Sequence, residues 1–214
     1  MERTITVRGT GTLHLKPDQI ELLLEMQAQN TEYAAAMEAG EAQLEQLRQA
    51  LTAEGYGRDD LRTTDFRISA EYDYQHETGS RVFRGYVCAH SLKLTLAFDA
   101  ARLGRTLDAI SRCQAQPGLT IRFTVADADA VNARLLQAAA ENARARAAVL
   151  AEASGASLGQ LRSISYSWGD RELFSPTNFA AEGAPRLAKA SRAMDFTPED
   201  ITVSDNAVFV WDLA

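Results

Sequence analysis

Apolar and polar positions alternate from the start of the chain. In TITVRGTGTLHL the residues Ile5, Val7, Leu13 and Leu15 are apolar, while Thr4, Thr6, Arg8, Thr10, Thr12 and His14 between them are polar. That period of two is the mark of a half-buried strand. After Lys16-Pro17-Asp18 the alternation restarts, with Ile20, Leu22, Leu24, Met26 and Ala28 on one side and Gln19, Glu21, Glu25, Gln27 and Gln29 on the other. These two strands are expected to pair as a hairpin. Between Thr31 and Glu54 the spacing lengthens, and Tyr33, Met37, Gly40, Leu44, Leu47 and Leu51 recur by threes and fours. This predicts an amphipathic helix, with Asn30 or Thr31 as its cap and Gly55 and Gly57 at its end.

Alternation returns in Phe66, Ile68, Ala70, Tyr72 and Tyr74, and a turn around Glu77-Thr78-Gly79 leads to a long strand over 82–98. A short helix over about 100–113 precedes LTIRFTV, a strand by its Leu119, Ile121, Phe123 and Val125. A second long helix then runs from a cap near Asp127 to Gly155, followed by strands near 160–169 and 200–213. Both long helices end alike, in EGYGRDDLRTTDF and ASGASLGQLRSIS, where glycines precede Leu-Arg and a hydroxyl residue at the start of a strand. The order indicates a degenerate internal repeat. The expected fold is α+β: a mainly antiparallel sheet from two β-α-β-β halves, with two long helices packed on one face. It is taken as one domain over 1–214, with halves at about 1–98 and 99–214 and a loop or insertion over 171–197.

Composition narrows the function classes. The 214 residues are 46% apolar, enough for a full core. A net charge of −7 and a pI near 5.0 argue against nucleic-acid or acidic-membrane binding, which needs clustered positive charge. No signal-like segment precedes the first strand and no apolar run approaches the roughly 20 residues of a membrane helix, so a cytoplasmic location is expected.

Few residues invite chemistry. Gly9 and Gly11 suggest a phosphate loop, but the third glycine of GxGxxG is missing and both fall on the apolar side of a strand. Glycine there marks a bulge or the close approach of another backbone. The second helix carries Ala139, Ala143, Ala147, Ala151 and Gly155 every four residues, a smooth ridge suited to close packing. Cys88 and Cys113 have no zinc-ligand spacing, and Cys88 shares a strand face with Tyr86, Leu92, Leu94 and Leu96, so burial is expected. His14, His76 and His90 sit on different elements, and His90 reads as a hydrogen-bonded core histidine. Asp127-Ala-Asp129 reads as a helix cap rather than half a metal loop. No catalytic residue, metal site or cofactor is assigned.

The stretch 171–197 holds Phe174, Phe179, Arg186, Lys189 and Arg192, and long loops without a function are uncommon. These five residues, with Tyr72, Tyr74 and Trp168, make up the candidate interface or ligand surface.

AENARARAAVLAEASGASLGQLRSIS, the opening VRGTGTLHLKPDQIELLLEM, RVFRGYVCAHSLKLTL and the ending FTPEDITVSDNAVFVWDL together resemble the signature of the SIMPL-domain family. The resemblance implies an α+β fold, assembly into rings or channel-like oligomers as in bacterial relatives, and a link to stress defence or kinase signalling. It implies no catalytic residues. The expectation is a non-enzymatic, self-associating or protein-binding module that forms a homo-oligomer. The alternative is a small-molecule-binding protein or enzyme with a pocket near Tyr72, Tyr74 and Trp168.

Overall fold

Gly9 and Gly11 owe their place to a helix lying on them. A Cβ at Gly9 would come within 2.0 Å of the Ala139 carbonyl oxygen and 2.6 Å of the Ala143 Cβ, and one at Gly11 within 2.1 Å of the Leu135 carbonyl oxygen. Only bare backbone lets the alanine ridge sit this close to the strand. The glycines and alanines, far apart in sequence, are two sides of one contact.

The computed structural model describes residues 3–75, 80–167, 169, 171–181 and 196–214. The elements in chain order are β1 (Thr4–Leu15), β2 (Gln19–Asn30), α1 (Tyr33–Ala53), β3 (Leu61–Gln75), β4 (Ser80–Ala97), α2 (Ala100–Arg112), β5 (Gly118–Thr124), α3 (Ala128–Ala153), β6 (Leu158–Ser165), β7 (Phe174–Ala181) and β8 (Ile201–Leu213). They form two antiparallel sheets, ordered β1-β8-β6 and β3-β4-β2-β5-β7. The α+β class is as expected, and each long helix packs on a sheet of its own: α3 on β1 and β8, α1 on β2 and β4.

The expected β1–β2 hairpin does not form. β1 pairs along its whole length with β8, from Thr4 opposite Asp212 to Leu15 opposite Ile201, and β2 pairs with β4, from Gln19 opposite Ala97 to Asn30 opposite Tyr86. The physical reason is the character of the two apolar faces. β1 presents glycines that match an alanine helix, whereas Ile20, Leu22 and Leu24 of β2 are fully buried in a leucine-rich core with Leu47, Leu92, Leu94, Leu103 and Leu107.

The chain divides into two compact units, one of residues 1–17, 124–176 and 199–214, the other of 18–123 and 177–198. A β-α-β-β arrangement occurs in each unit, built from interleaved segments of the chain. In the first unit β1, α3, β6 and β8 form β-α-β-β, with the last strand paired between the other two; in the second unit β2, α1, β3 and β4 do the same. Both long helices end in the same turn. Gly55 (φ +85°) and Gly155 (φ +72°) are left-handed, Tyr56 N–H donates to Leu51 and Ala156 N–H to Ala151, the hydrogen bonds of a Schellman cap.

Other expectations shift locally. Asp127 accepts from Ala130 N–H at 2.8 Å and caps α3 as expected. The residue before α1 is Glu32, without a side-chain cap; Asn30 Oδ1 instead accepts from Glu32 N–H at 3.1 Å. Tyr33 at the head of α1 is exposed and Ala36 takes the buried position. Within the presumed 171–197 loop, residues 174–181 form the edge strand β7 of the five-stranded sheet. The turn around Glu77-Thr78-Gly79 lies outside the described residues.

Candidate functional site

β4 outlasts its neighbour β2, and this creates the most distinctive surface of the five-stranded unit. β2 stops at Asn30, opposite Tyr86, while β3 and β4 stay paired from Ala70 opposite Tyr86 to Gln75 opposite Ser80. The outer part of this hairpin is therefore a two-stranded ribbon. At its base the register slips between Glu71 and Tyr72, and Gly85 opposite adopts φ +138°. A Cβ on Gly85 would come within 2.5 Å of the Asn30 carbonyl oxygen, so glycine permits both the bulge and the close approach of the Asn30 backbone.

The bulge sorts the side chains by chemistry. One face carries aromatic rings in edge contact: Tyr72 with Phe83 at 5.6 Å, Phe83 with Tyr86 at 5.3 Å, and Tyr86 with Tyr33 of α1 at 5.5 Å. Tyr72 is 55% exposed, Tyr74 58% and Phe83 42%. Among the opposite, charged positions Arg84 pairs with Asp73, and a polar depression of about 540 Å³ is lined by Gln29, Asn30, Thr31, Glu71, Asp73 and Arg84. Further along the hairpin Phe66 is exposed and meets His90 edge-on at 5.2 Å. β3 is the outer strand of its sheet, so it offers both aromatic rings and a backbone edge.

Of the candidate surface residues, Tyr72 and Tyr74 fall on this ribbon. Phe179 is half-buried on β7, edge-on to Phe196 at 6.5 Å and packed against the core. Phe174 is half-buried at the start of β7. Trp168, Arg186, Lys189 and Arg192 lie outside the described residues. Sequence reading missed Phe83 and Tyr86, although RVFRGY carries the signal: aromatic residues two and one positions from a glycine inside a strand.

Groups capable of chemistry are engaged in structure. His90 is buried, its Nε2 at 2.9 Å from Thr63 Oγ1, and its pKa is lowered by burial and then by Arg48. His14 Nδ1 lies 3.1 Å from Thr202 Oγ1. Cys88 is buried against Gly40, whose added Cβ would lie 2.7 Å from its Sγ; burial and then Glu41 push its thiol pKa up, which disfavours the nucleophilic thiolate. Asp205 is a buried carboxylate that the sequence did not single out. It accepts from Tyr166 Oη at 2.7 Å, from Asn206 N–H at 2.6 Å and from the Arg171 guanidinium, which satisfies it as a structural clasp. Among the described residues no three His, Cys, Asp or Glu side chains gather as a metal site, and no helix is long and apolar enough to cross a membrane.

The family model for SIMPL, described as a protein of unknown function (DUF541), matches residues 5–211. The chain belongs to the SIMPL family. Among SIMPL relatives, the uncharacterized protein YggE of Edwardsiella ictaluri (strain 93-146) is 22% identical over 210 residues, covering 98% of this chain and 87% of that protein. YggE of Escherichia coli (strain K12) is 25% identical over 162 residues, 76% of this chain, and the match spans 65% of that protein, just under two thirds of its length. YggE of Shigella flexneri matches to the same extent.

Proposed function

We propose that this SIMPL chain is a non-enzymatic, self-associating module whose copies meet through the β3–β4 ribbon. The observation that carries the reading is the ring cluster Tyr72–Phe83–Tyr86–Tyr33 on a protruding hairpin with solvent on its aromatic side. Aromatic side chains supply large contact area at low conformational cost and are enriched in the centres of protein interfaces. The open edge of β3 adds backbone hydrogen bonds that a partner strand can complete. Charge is uneven along that edge, with Arg62, Asp65 and Arg67 toward one end and Glu71 and Asp73 toward the other, so an antiparallel second copy of β3 brings a net basic end against an acidic one. Closed symmetric pairing of this kind is the commonest form of soluble oligomer.

The test is the mass in solution. Light scattering after size exclusion should give a multiple of 23.4 kDa, and the double variant Tyr72→Lys, Phe83→Lys should shift that mass toward one chain with unchanged circular dichroism. A wild-type protein with the mass of a single chain at high micromolar concentration would overturn the reading.

A further inference from the structure

The close seat of α3 on β1 has a cost at the far edge of the three-stranded sheet. Drawn against Gly9 and Gly11, the helix covers β1 and β8 and touches β6 only slightly. A cleft of about 570 Å³ is left between α3 and β6. Its helix wall is Ala140, Arg144 and Ala148, and its strand wall includes Leu161 and Ile164. The floor is set by Phe209 and Trp211, whose rings stack at 5.4 Å and 16°. Leu161 lies opposite Trp211 and Ile164 opposite Phe209 in the β6–β8 ladder, with register shifts that keep both on this side. Leu161 and Ile164 are large apolar residues left exposed at the mouth.

Among the described residues Arg144 is the cleft's only charged lining group. On α3 the carboxylate of Glu141 accepts from Gln137 at 2.9 Å, and on β8 Asp212 pairs with Arg162. Among the described residues Arg144 makes no ion pair or hydrogen bond. A free guanidinium at the rim of an apolar slot matches a planar anionic head attached to an apolar body, because its fork of donors fits a carboxylate bidentately. The volume lies in the range of small-molecule pockets, which combine apolar walls with a few polar groups that fix orientation.

We propose that the α3–β6 cleft binds a small amphiphilic anion, an aromatic or aliphatic carboxylate, with its apolar part over Phe209 and Trp211 and its head on Arg144. The site is independent of the ribbon surface. The protein's net charge of −7 disfavours non-specific anion binding, so saturable binding of an anion reports local recognition.

The test uses the full chain with Trp168→Phe, which leaves Trp211 as the sole tryptophan, and two probes: 8-anilinonaphthalene-1-sulfonate, whose sulfonate stands in for the carboxylate, and the uncharged N-phenyl-1-naphthylamine. The sulfonate should bind at one site per chain with energy transfer from Trp211. Arg144→Ala should weaken it about tenfold and change the neutral probe less than twofold, whereas Ile164→Glu should weaken both. Absence of saturable binding, or equal affinity of the sulfonate for Arg144→Ala and its parent, overturns the proposal. Binding that disappears in step with a rise in mass by light scattering also overturns it, by showing a second copy as the occupant. A single-chain mass with binding intact would refute the ribbon reading and leave this site standing.

Discussion

Gly9→Ala is the sharpest perturbation of the three-stranded unit. The added methyl would sit 2.0 Å from the Ala139 carbonyl oxygen, where ordinary contact begins at 3.4 Å. The obstacle is helix backbone, which has no rotamer to escape into, so α3 must retreat by about 1.4 Å, and even a gap of 0.5–1 Å forfeits about a quarter to a half of each contact's attraction. The alanines that lose it, Ala139, Ala143 and Ala147, are completely buried. Overpacking a core costs about 1–3 kcal/mol, and a rigid obstacle places this case near the upper end. Replacing a strand glycine by alanine returns roughly 0.5–1 kcal/mol through the unfolded chain. The expected net loss is therefore about 2 kcal/mol. Urea titration followed by tryptophan fluorescence, with Trp211 in the same unit, should show a lower midpoint at unchanged slope. Thr12→Ala, at an exposed position of the same strand, serves as a control within about 0.5 kcal/mol of wild type. A Gly9→Ala midpoint equal to that control would refute the close-approach argument.

Three further outcomes follow from groups held by packing or hydrogen bonds. Cys88, buried against α1 with its pKa raised, should react with a thiol reagent only after unfolding; rapid labelling of the native protein would contradict its packing against Gly40. His90 has a folded pKa below the ordinary 6.5, so the unfolded chain takes up its proton first as pH falls. Its contribution to stability is present above pH 6.5 and is lost as pH drops toward the lower folded value. His90→Leu should flatten the fall in stability between pH 7 and 5, and an unchanged slope would assign that fall to other groups. Tyr166 has its pKa raised chiefly by the hydrogen bond to Asp205, so its contribution is present below pH 10 and lost as pH rises through the raised value. Tyr166→Phe should lower the melting temperature at pH 8 and lose less of it on going to pH 10.5; identical melting curves for the two proteins would remove the clasp from the stability argument.

Most element types were legible because they depend on local period. The alternations at 4–15, 19–30 and 118–124 and the helical spacings at 33–53 and 128–153 need only nearest neighbours in the chain, and the repeated Gly55 and Gly155 turns announce the shared topology. Strand partners were not legible, because β1 and β8 meet across nearly the whole chain and no turn residue ties them. The short link Lys16-Pro17-Asp18 looked like a hairpin turn, yet it carries the chain between two sheets. β7 was hidden for another reason: its half-buried pattern, with Pro176 inside, suits an edge strand, which has little alternation to display. Tyr72 and Tyr74 were visible as candidate surface, but the ring chain through Phe83, Tyr86 and Tyr33 depends on a bulge that only the Gly85 conformation fixes.

The two β-α-β-β units show how one topology diverges through side-chain volume as well as through added elements. In the five-stranded unit the first strand offers Ile20, Leu22 and Leu24, and a second helix, α2, adds Leu103, Leu107 and Ile110 to the same core; leucine side chains there supply most of the buried area. In the three-stranded unit the first strand offers Gly9 and Gly11, and α3 answers with Ala139, Ala143 and Ala147. Small residues bury little apolar area each, so this unit depends on backbone proximity and on the larger Phe209, Trp211, Leu135 and Val131 in its two apolar clusters. A helix held that near β1 is too close to it to shelter β6. The exposure of Leu161 and Ile164, and hence the α3–β6 cleft, is thus a consequence of the glycines in β1 and not a separate feature: a variant that lifts α3 off β1 should change the cleft's affinity for the sulfonate probe even though no residue lining it has been altered.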